Sequence, residues 1–366
     1  SLFNLKQSNP FDSKGLSGSN VTSFAEAAKG DVFVGTDGGG LNLFHRQTEL
    51  FSHFTLQPRG KGPQAKMSIL SLEISRDNHL WVGTYADGLF ELDARTGKYR
   101  QFLQGNKVGA LTNNNIFCLE EDSQGNLWIG TNGGGVNVYQ PQSQTFKNYH
   151  RSSPFSEAII LPINPYIRTI KEDKAGNIWI GSHGSGIAVF NPKTRTAKLY
   201  DRGNSKLPSN VVLSVFEDSR QNIWVGTLGG GLSFLNRRTQ QFESFSENDG
   251  MANGVDYRIL QDDKGLLWLS TNAGLSSFDP KTRKFWNYNK YNGVQNSNFS
   301  HGAGLKLSNG EMYFGGLDGF NYFFPKDIKI NTDLPAVLLT ELKVDNRNIV
   351  PGEDSPLAEQ ISIAKD

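Results

Sequence analysis

Residues 125–136 read GNLWIGTNGGGV. Almost the same text returns at 176–187, GNIWIGSHGSGI, and at 221–232, QNIWVGTLGGGL. A glycine triplet invites a phosphate-cradling reading. That reading fails its context here, because the glycines precede a strand-like run and not a helix N-terminus, and no GK[ST] follows. Recurrence is the better clue. Aligned on the glycine of the W-[IV]-G-T core, copies fall at Gly35, Gly83, Gly130, Gly181, Gly226, Ser270 and Gly315, in steps of 48, 47, 51, 45, 44 and 45 residues. Seven copies fill the chain from about residue 20 to about residue 325. Five of the six tryptophans, Trp81, Trp128, Trp179, Trp224 and Trp268, share one repeat position.

Each copy reads as four short strands. In the third, NIFCLEED (115–122) is an apolar run ending in acid, and DSQGN (122–126) has the Asp and Gly of a tight turn. LWIGT is a strand, NGGG a turn, VNVYQP a strand, PQSQT a turn and FKNYH (146–150) the fourth strand. Four antiparallel strands with a period in the forties fit a propeller blade. A parallel β-helix has a shorter period, and no 3.6-residue helical pattern is present. The expected fold is all-β: a seven-bladed β-propeller of four-stranded antiparallel blades over residues 1–334. The repeated Trp and β-branched side chains are expected to fill the layers between blades. The last copy lacks an outer strand of its own, and LFNLK (2–6) matches the fourth-strand pattern. Residues 2–6 are therefore expected to complete blade seven and remove an exposed edge. The rival reading makes them the tail of an upstream blade.

Bulk composition narrows the function classes. Of 366 residues, 37% are apolar and 20% charged, enough for a core. Lys+Arg number 37 against 36 Asp+Glu, a net charge of +1, which argues against a nucleic-acid binder. Cys118 is the one cysteine, so no internal disulfide is possible and cysteine usage does not identify the compartment. No run of eighteen apolar residues occurs, so direct membrane insertion of this stretch is not expected, and the first residues lack a signal-peptide pattern.

The unit D-x-x-G-N-[LI]-W-[IV]-G-T-x-x-G-G-[GL] resembles the two-component regulator propeller repeat over about residues 15–325. The resemblance is specific in blades two to six. It weakens in blade one, where Phe33 replaces Trp, and in blade seven, where Tyr313 and Gly316 stand at the Trp and Thr positions. It implies the periplasmic sensor region of a hybrid histidine kinase or related transmembrane regulator, with a small-molecule or glycan ligand and a homodimeric parent. The closing text MYFGGLDGFNYFFPKDIKIN…PAVLLTELKVDNRNIV is also similar to the family. It implies that residues 335–366 begin an immunoglobulin-like domain, incomplete at Asp366, with 326–340 as a mechanical link. It further implies a C-terminal propeller taken from a longer chain.

In a repeat protein, shared residues usually hold the fold and exceptions carry function. The acid pairs Glu121–Asp122, Glu172–Asp173, Glu217–Asp218 and Asp262–Asp263 recur before one turn, so they read as turn formers and solvated edge charges. The six histidines show no metal-ligand spacing and read as structural or exposed. Cys118 reads as buried packing. No metal or cofactor is expected, and no nucleophile elbow occurs. The residues following the G-T core vary from copy to copy: Asp37, Tyr85, Asn132, His183, Leu228, Asn272 and Asp318. Propeller geometry places them at one mouth of the central channel. Arg168 and Arg258, with Tyr166 and Tyr257 beside them, break the apolar pattern near the start of the first strand. The expected ligand-binding set is Tyr85, Asn132, Arg168, His183, Arg258, Asn272 and Asp318, able to meet a carboxylate, a sulfate or sugar hydroxyls. The plain alternative is a solvated channel mouth. Two insertions, 150–166 and 56–66, read as an exposed apolar run and a mobile basic loop. The leading function is a non-enzymatic ligand-sensing module. A dimerisation scaffold and a propeller-type lyase or hydrolase are the rivals.

Overall fold

The structure, a computed structural model, describes residues 2–62, 66–149, 161–296 and 298–329, and the backbone of 343–344 and 347–348. The chain divides into two units, Ser1–Ile328 and Lys329–Asp366. The first is a seven-bladed β-propeller. Its blades are four-stranded antiparallel sheets, in sequence order in blades one to six, as in blade three: Ile116–Glu121, Leu127–Thr131, Val136–Gln140 and Thr145–Asn148. In the second unit the described backbone is one short hairpin, Lys343–Val344 against Arg347–Asn348. The rest of the expected immunoglobulin-like segment and most of the expected link lie outside the described residues.

Blade seven takes its outer strand from the other end of the chain. Asn4–Lys6 pairs antiparallel with Gly319–Phe323, with Asn4 opposite Tyr322 and Lys6 opposite Phe320. Phe3 fixes this strand: it is 1% exposed, with its ring 4.6 Å from Phe323 and 6.4 Å from Trp268. Each innermost strand touches the next, and the last touches the first, so the ring is closed.

Seven apolar clusters hold the ring, one for each blade boundary. Trp128, Val136 and Val138 of blade three meet Ile167, Ile170 and Ile178 of blade four. Trp224 and Leu232 of blade five meet Leu267 and Phe278 of blade six. Tyr313 and Phe320 of blade seven meet Phe24 and Phe44 of blade one. Burying a large side chain stabilises the fold by roughly 1.5–3 kcal/mol, so these layers dominate the energetics. The core glycine exists for the same contact. A Cβ on Gly130 would lie 2.6 Å from Ile167 Cγ2 of the next blade, and a Cβ on Gly83 would lie 2.6 Å from Ile116 Cγ2. The glycine triplet is also structural. Its third member in blade five, Gly231, has φ +67°, and a Cβ there would sit 2.2 Å from the Phe245 carbonyl oxygen.

The acid pairs need a correction. One member of each pair is buried, not solvated: Asp122, Asp173 and Asp218 in the first three pairs and Asp262, the first member, in the fourth, with Asp122 5% exposed and Asp218 2%. Asp122 accepts the indole N–H of Trp128 at 2.8 Å and the backbone N–H groups of Gln124 and Asn126. Asp173, Asp218 and Asp262 accept from Trp179, Trp224 and Trp268 at 2.8, 2.9 and 3.0 Å. One carboxylate therefore closes the turn and satisfies the buried indole. The insertions also differ from expectation. Residues 150–160 lie outside the described set, but Leu161 is 2% exposed and packs with Trp128. The 56–62 stretch is tied down: Gln57 N–H meets Tyr99 Oη at 2.9 Å, and Lys61 pairs with Asp87 at 2.6 Å.

Candidate functional site

The site grows out of a defect in the innermost strands. In blade three Ile116 pairs with Thr131, but Cys118 already pairs with Gly130, so Phe117 is an extra residue. Blades one, two, four and five bulge at the matching points, after Val21, Ile69, Ile167 and Val212. A bulge re-aims a side chain away from the sheet face. The bulged residues Thr22, Leu70, Phe117, Arg168 and Leu213 thus form a rim around the axis. In blade seven the bulge is larger. Phe299 pairs with Gly316 and Gly304 with Phe314, so residues 300–303 stand opposite Gly315 alone. Gly302 permits this with φ +76°. The innermost strand of blade seven consequently reaches that of blade five, past blade six. His301 makes the contact: its Nε2 lies 2.8 Å from the Leu213 carbonyl oxygen.

Two guanidinium groups line the axis near His301. Arg168 donates to Asn132 Oδ1 at 3.0 Å and to the Ile167 carbonyl at 3.2 Å, and lies 4.6 Å over the Phe117 ring. Arg258 sits one register step deeper. It pairs with Ser270, where other blades carry Ser23, Ser71, Cys118, Thr169 and Ser214. Its Nε donates to the Gly304 carbonyl at 3.2 Å, and no carboxylate within 4 Å pairs with it among the described residues. Burial lowers the pKa of both arginines. Burial, with both guanidiniums nearby, also pushes the His301 pKa down to about 4. The imidazole is therefore neutral at pH 7. With Nε2–H donated to Leu213, Nδ1 is left as an acceptor without a partner among the described residues.

Below this tier are the acids. Lys171 Nζ meets Glu120 Oε1 at 2.6 Å, and the Glu172 backbone N–H also donates to Glu120. Among the described residues Glu73 accepts only the Glu121 N–H, at 3.3 Å. Desolvation and the neighbouring Glu120 push its carboxyl up to about 8. Cys118 is desolvated and its thiol is pushed up to about 12, which rules out a resting nucleophile. Asp256 is 0% exposed and takes the place of the branched residue that covers the core glycine in other blades; a Cβ on Gly226 would lie 2.8 Å from its Cγ. Neither of its oxygens meets hydrogen-bond geometry, although the Arg258 backbone N–H is near enough to favour the charged form. Burial wins and raises its pKa well above the ordinary carboxylate value.

The expected ligand set is only partly gathered. Arg168 and Asn132 are hydrogen-bonded. Asn272 accepts from Tyr257 Oη at 2.8 Å. Tyr85 and His183 are exposed, and Asp318 is half-buried; each follows its blade's core at the rim, and none shares a hydrogen bond with the others. Backbone bonds fix this rim, as in Tyr85 N–H to the Ser68 carbonyl and His183 N–H to the Tyr166 carbonyl. Sequence reasoning missed His301, Glu73, Glu120, Lys171 and Asp256. One signal was available for His301: Phe299 to Gly316 is 17 positions, against 15 from Ile116 to Thr131. Among the described residues no group of three or more His, Cys, Asp or Glu could hold a metal ion.

A cleft of about 930 Å³ opens on the opposite face, between blades three and four. Smaller clefts, of about 380 and 370 Å³, open between blades five and six and between four and five. The feature recurs at blade boundaries, and groups in the large cleft bond one another, as Ser123 does with Glu172 and Lys174 N–H with Glu217. It follows from blade geometry, so the axial cluster is the stronger site.

Comparison with known proteins places this geometry. Residues 110–133, 161–184 and 206–229 match the model of the two component regulator propeller. The chain is 28% identical over 364 residues to Histidine kinase P4 of Formosa agariphila, a match covering 96% of this chain and 26% of that protein. The extracellular domain of BT3049 from B. thetaiotaomicron, assigned to a hybrid two component system, superimposes with a TM-score of 0.78 at 25% identity, over 96% of this chain and 46% of that one. Virginiamycin B lyase from Staphylococcus aureus gives a TM-score of 0.64 at 13% identity, over 87% of this chain and 98% of that chain, which shows a shared fold alone. The chain thus spans about a quarter of the curated relative and under half of the extracellular domain it matches. Among the described residues no helix is long and apolar enough to cross a membrane.

Proposed function

We propose, for a chain that belongs to the two-component regulator propeller repeat family, that it is a non-enzymatic extracytoplasmic sensing module which binds a small polar or carbohydrate ligand at the rim of its propeller axis. One observation carries the reading. Side chains that depart from the repeat, Arg168, Arg258 and His301, gather at one end of the axis, whereas the shared residues fill the blade boundaries. The similarity to an extracellular domain of a two component system supports a sensor located in the periplasm, with output elsewhere in a longer parent; a homodimeric parent is part of the proposal and rests on no comparison. Signalling then follows from a population shift: ligand must favour one arrangement of the parent over another.

The chemistry of the axis supports binding over catalysis. Cys118 is protonated, and Glu120 is held by Lys171. Tyr85, Asn132, His183, Asn272 and Asp318 offer hydrogen bonds around the rim, the pattern that orients a polyhydroxylated ligand. The test is thermal-shift screening of the chain against neutral and charged saccharides. A ligand present at 100 times its Kd stabilises the fold by about 2.7 kcal/mol. An unchanged melting temperature across a broad panel at millimolar concentration overturns direct sensing by this propeller.

A further inference from the structure

Arg258 is the most unusual residue of the axis. Other blades place small groups at its register, Ser23, Ser71, Cys118, Thr169 and Ser214, or Ala303 in blade seven. Here a full guanidinium enters the channel and spends one N–H on the Gly304 carbonyl. Its two terminal amines have no hydrogen-bond partner among the described residues. Arg168 lies in the same stretch of the axis, since both guanidiniums act on His301 and on Cys118. Arg168 spends one amine on Asn132 and Ile167 and faces no carboxylate partner within 4 Å among the described residues.

The nearby acids offset these charges only in part: Glu120 and Glu73 favour the charged form of Arg258 through space, but neither is within ion-pair distance of it among the described residues. Glu120 is neutralised by Lys171 at 2.6 Å. Glu73 and Asp256 are both held towards the protonated form by burial. His301 carries no charge at pH 7. Two cations with unused N–H groups therefore stand in a low-dielectric stretch of the axis with no carboxylate in ion-pair contact among the described residues. A partly buried guanidinium is costly to leave unpaired, and a planar oxyanion matches its fork of donors.

Building on the sensing role above, we propose that the axis selects an acidic ligand: a small polar molecule whose carboxylate or sulfate is received by Arg258 and Arg168 beneath His301, while its hydroxyl groups meet the rim. Arg258 is the principal anchor, because its terminal amines are wholly unused. Arg168, already oriented by Asn132 and Phe117, is the second.

The test uses the whole chain with four probes: glucuronate, a monosaccharide sulfate, glucose and inorganic sulfate, read by thermal shift and calorimetric titration. The expected result is binding of both acidic sugars at least tenfold tighter than glucose, with added NaCl weakening it. Arg258→Met is expected to abolish that preference. The same variant is expected to melt at a higher temperature than the parent, because an unpaired cation leaves the channel, so loss of binding is not loss of fold. Arg238→Met, which removes an exposed turn charge, keeps binding unchanged. If glucose binds as tightly as the acids, acid selection is wrong and sensing at the rim stands. If inorganic sulfate binds as tightly as the sulfated sugar, the axis is an inorganic-anion site and the sugar-acid assignment falls. If acidic sugars bind equally well to Arg258→Met, they bind elsewhere and this axial assignment is overturned. Silence from all four probes overturns the acidic-ligand proposal alone; the wider sensing role is decided by the broader panel.

Discussion

The boundary between blades three and four and the boundary between blades five and six are built on one plan and end in opposite chemistry. At the first, Ile167 lies against Gly130 in a cluster of Trp128, Val138 and Ile178. At the second, Trp224, Leu232 and Phe278 repeat the outer layer, but Asp256 replaces the branched side chain against Gly226. Two residues further on, Arg258 stands where Thr169 stands in blade four. The outer part of each boundary follows the repeat, while the axial part of the second departs from it. Departure at an interior position is costly, so it marks where selection has favoured something besides stability.

If the outer layers carry the fold, the largest losses belong there. Trp224→Ala should destabilise the propeller by about 3–5 kcal/mol, as deletion of a large buried aromatic does. Urea denaturation followed by far-ultraviolet circular dichroism checks this. A loss below 1 kcal/mol would mean that the repeated indole is not a packing residue.

The next effect separates the two jobs of the repeated acid. Asp218 accepts the Trp224 indole N–H at 2.9 Å and the backbone N–H groups of Arg220 and Asn222. Asp218→Ala leaves these donors without their acceptor, an expected loss of about 2–3 kcal/mol. The neighbouring Glu217→Ala should cost less than 1 kcal/mol, because its side chain is half-buried and, among the described residues, bonds only the Lys174 backbone N–H across the boundary. Equal losses in the two variants would contradict the division of labour within the pair.

Asp256 reverses the sign. Restoring the branched residue with Asp256→Val should stabilise the fold by about 1–2 kcal/mol at pH 7, since a buried carboxyl without a hydrogen bond is replaced by a side chain that suits the layer. The pH dependence follows from linkage. Burial raises the folded-state pKa of Asp256 above its unfolded value, so its cost is absent below about pH 4 and grows as pH rises. The gain from Asp256→Val should therefore be larger at pH 7 than at pH 4. A gain independent of pH would show that Asp256 is ionised in the fold.

The outer layers were legible in the sequence because each copy states them again. Trp recurs in five copies, the core glycine in six and the acid pair in four, at fixed offsets, and these overlapping readings of one pattern fix a blade. The buried place of the acid was not legible, since an Asp that starts a turn looks the same whether or not an indole lies above it. Arg168 and Arg258 stood out as charges in apolar strands, but their different depths depend on where each strand bulges. His301 and Leu213 are 88 positions apart and meet only because the ring closes and blade seven carries a larger bulge. Periodicity specifies what every blade shares; convergence at an axis depends on the irregularities that periodicity averages away.

The smallest expected effect tests that convergence. His301 holds its folded-state pKa at about 4, below the ordinary value of 6.5, because it is desolvated beside two guanidiniums. The unfolded chain takes up the proton first as pH falls. Stability linked to His301 is therefore complete above pH 6.5 and is lost as pH drops through 6.5 towards 4. After discounting for its partial exposure, the loss at pH 5 is on the order of 1 kcal/mol. His301→Gln keeps a donor for the Leu213 carbonyl and cannot titrate, so its melting temperature should match the parent at pH 7 and exceed it at pH 5. Arg258→Met should shrink the same acid-side slope by removing one of the two repelling charges. If the slope is unchanged by both substitutions, the imidazole and the guanidinium do not share the axis, and the site has lost its centre.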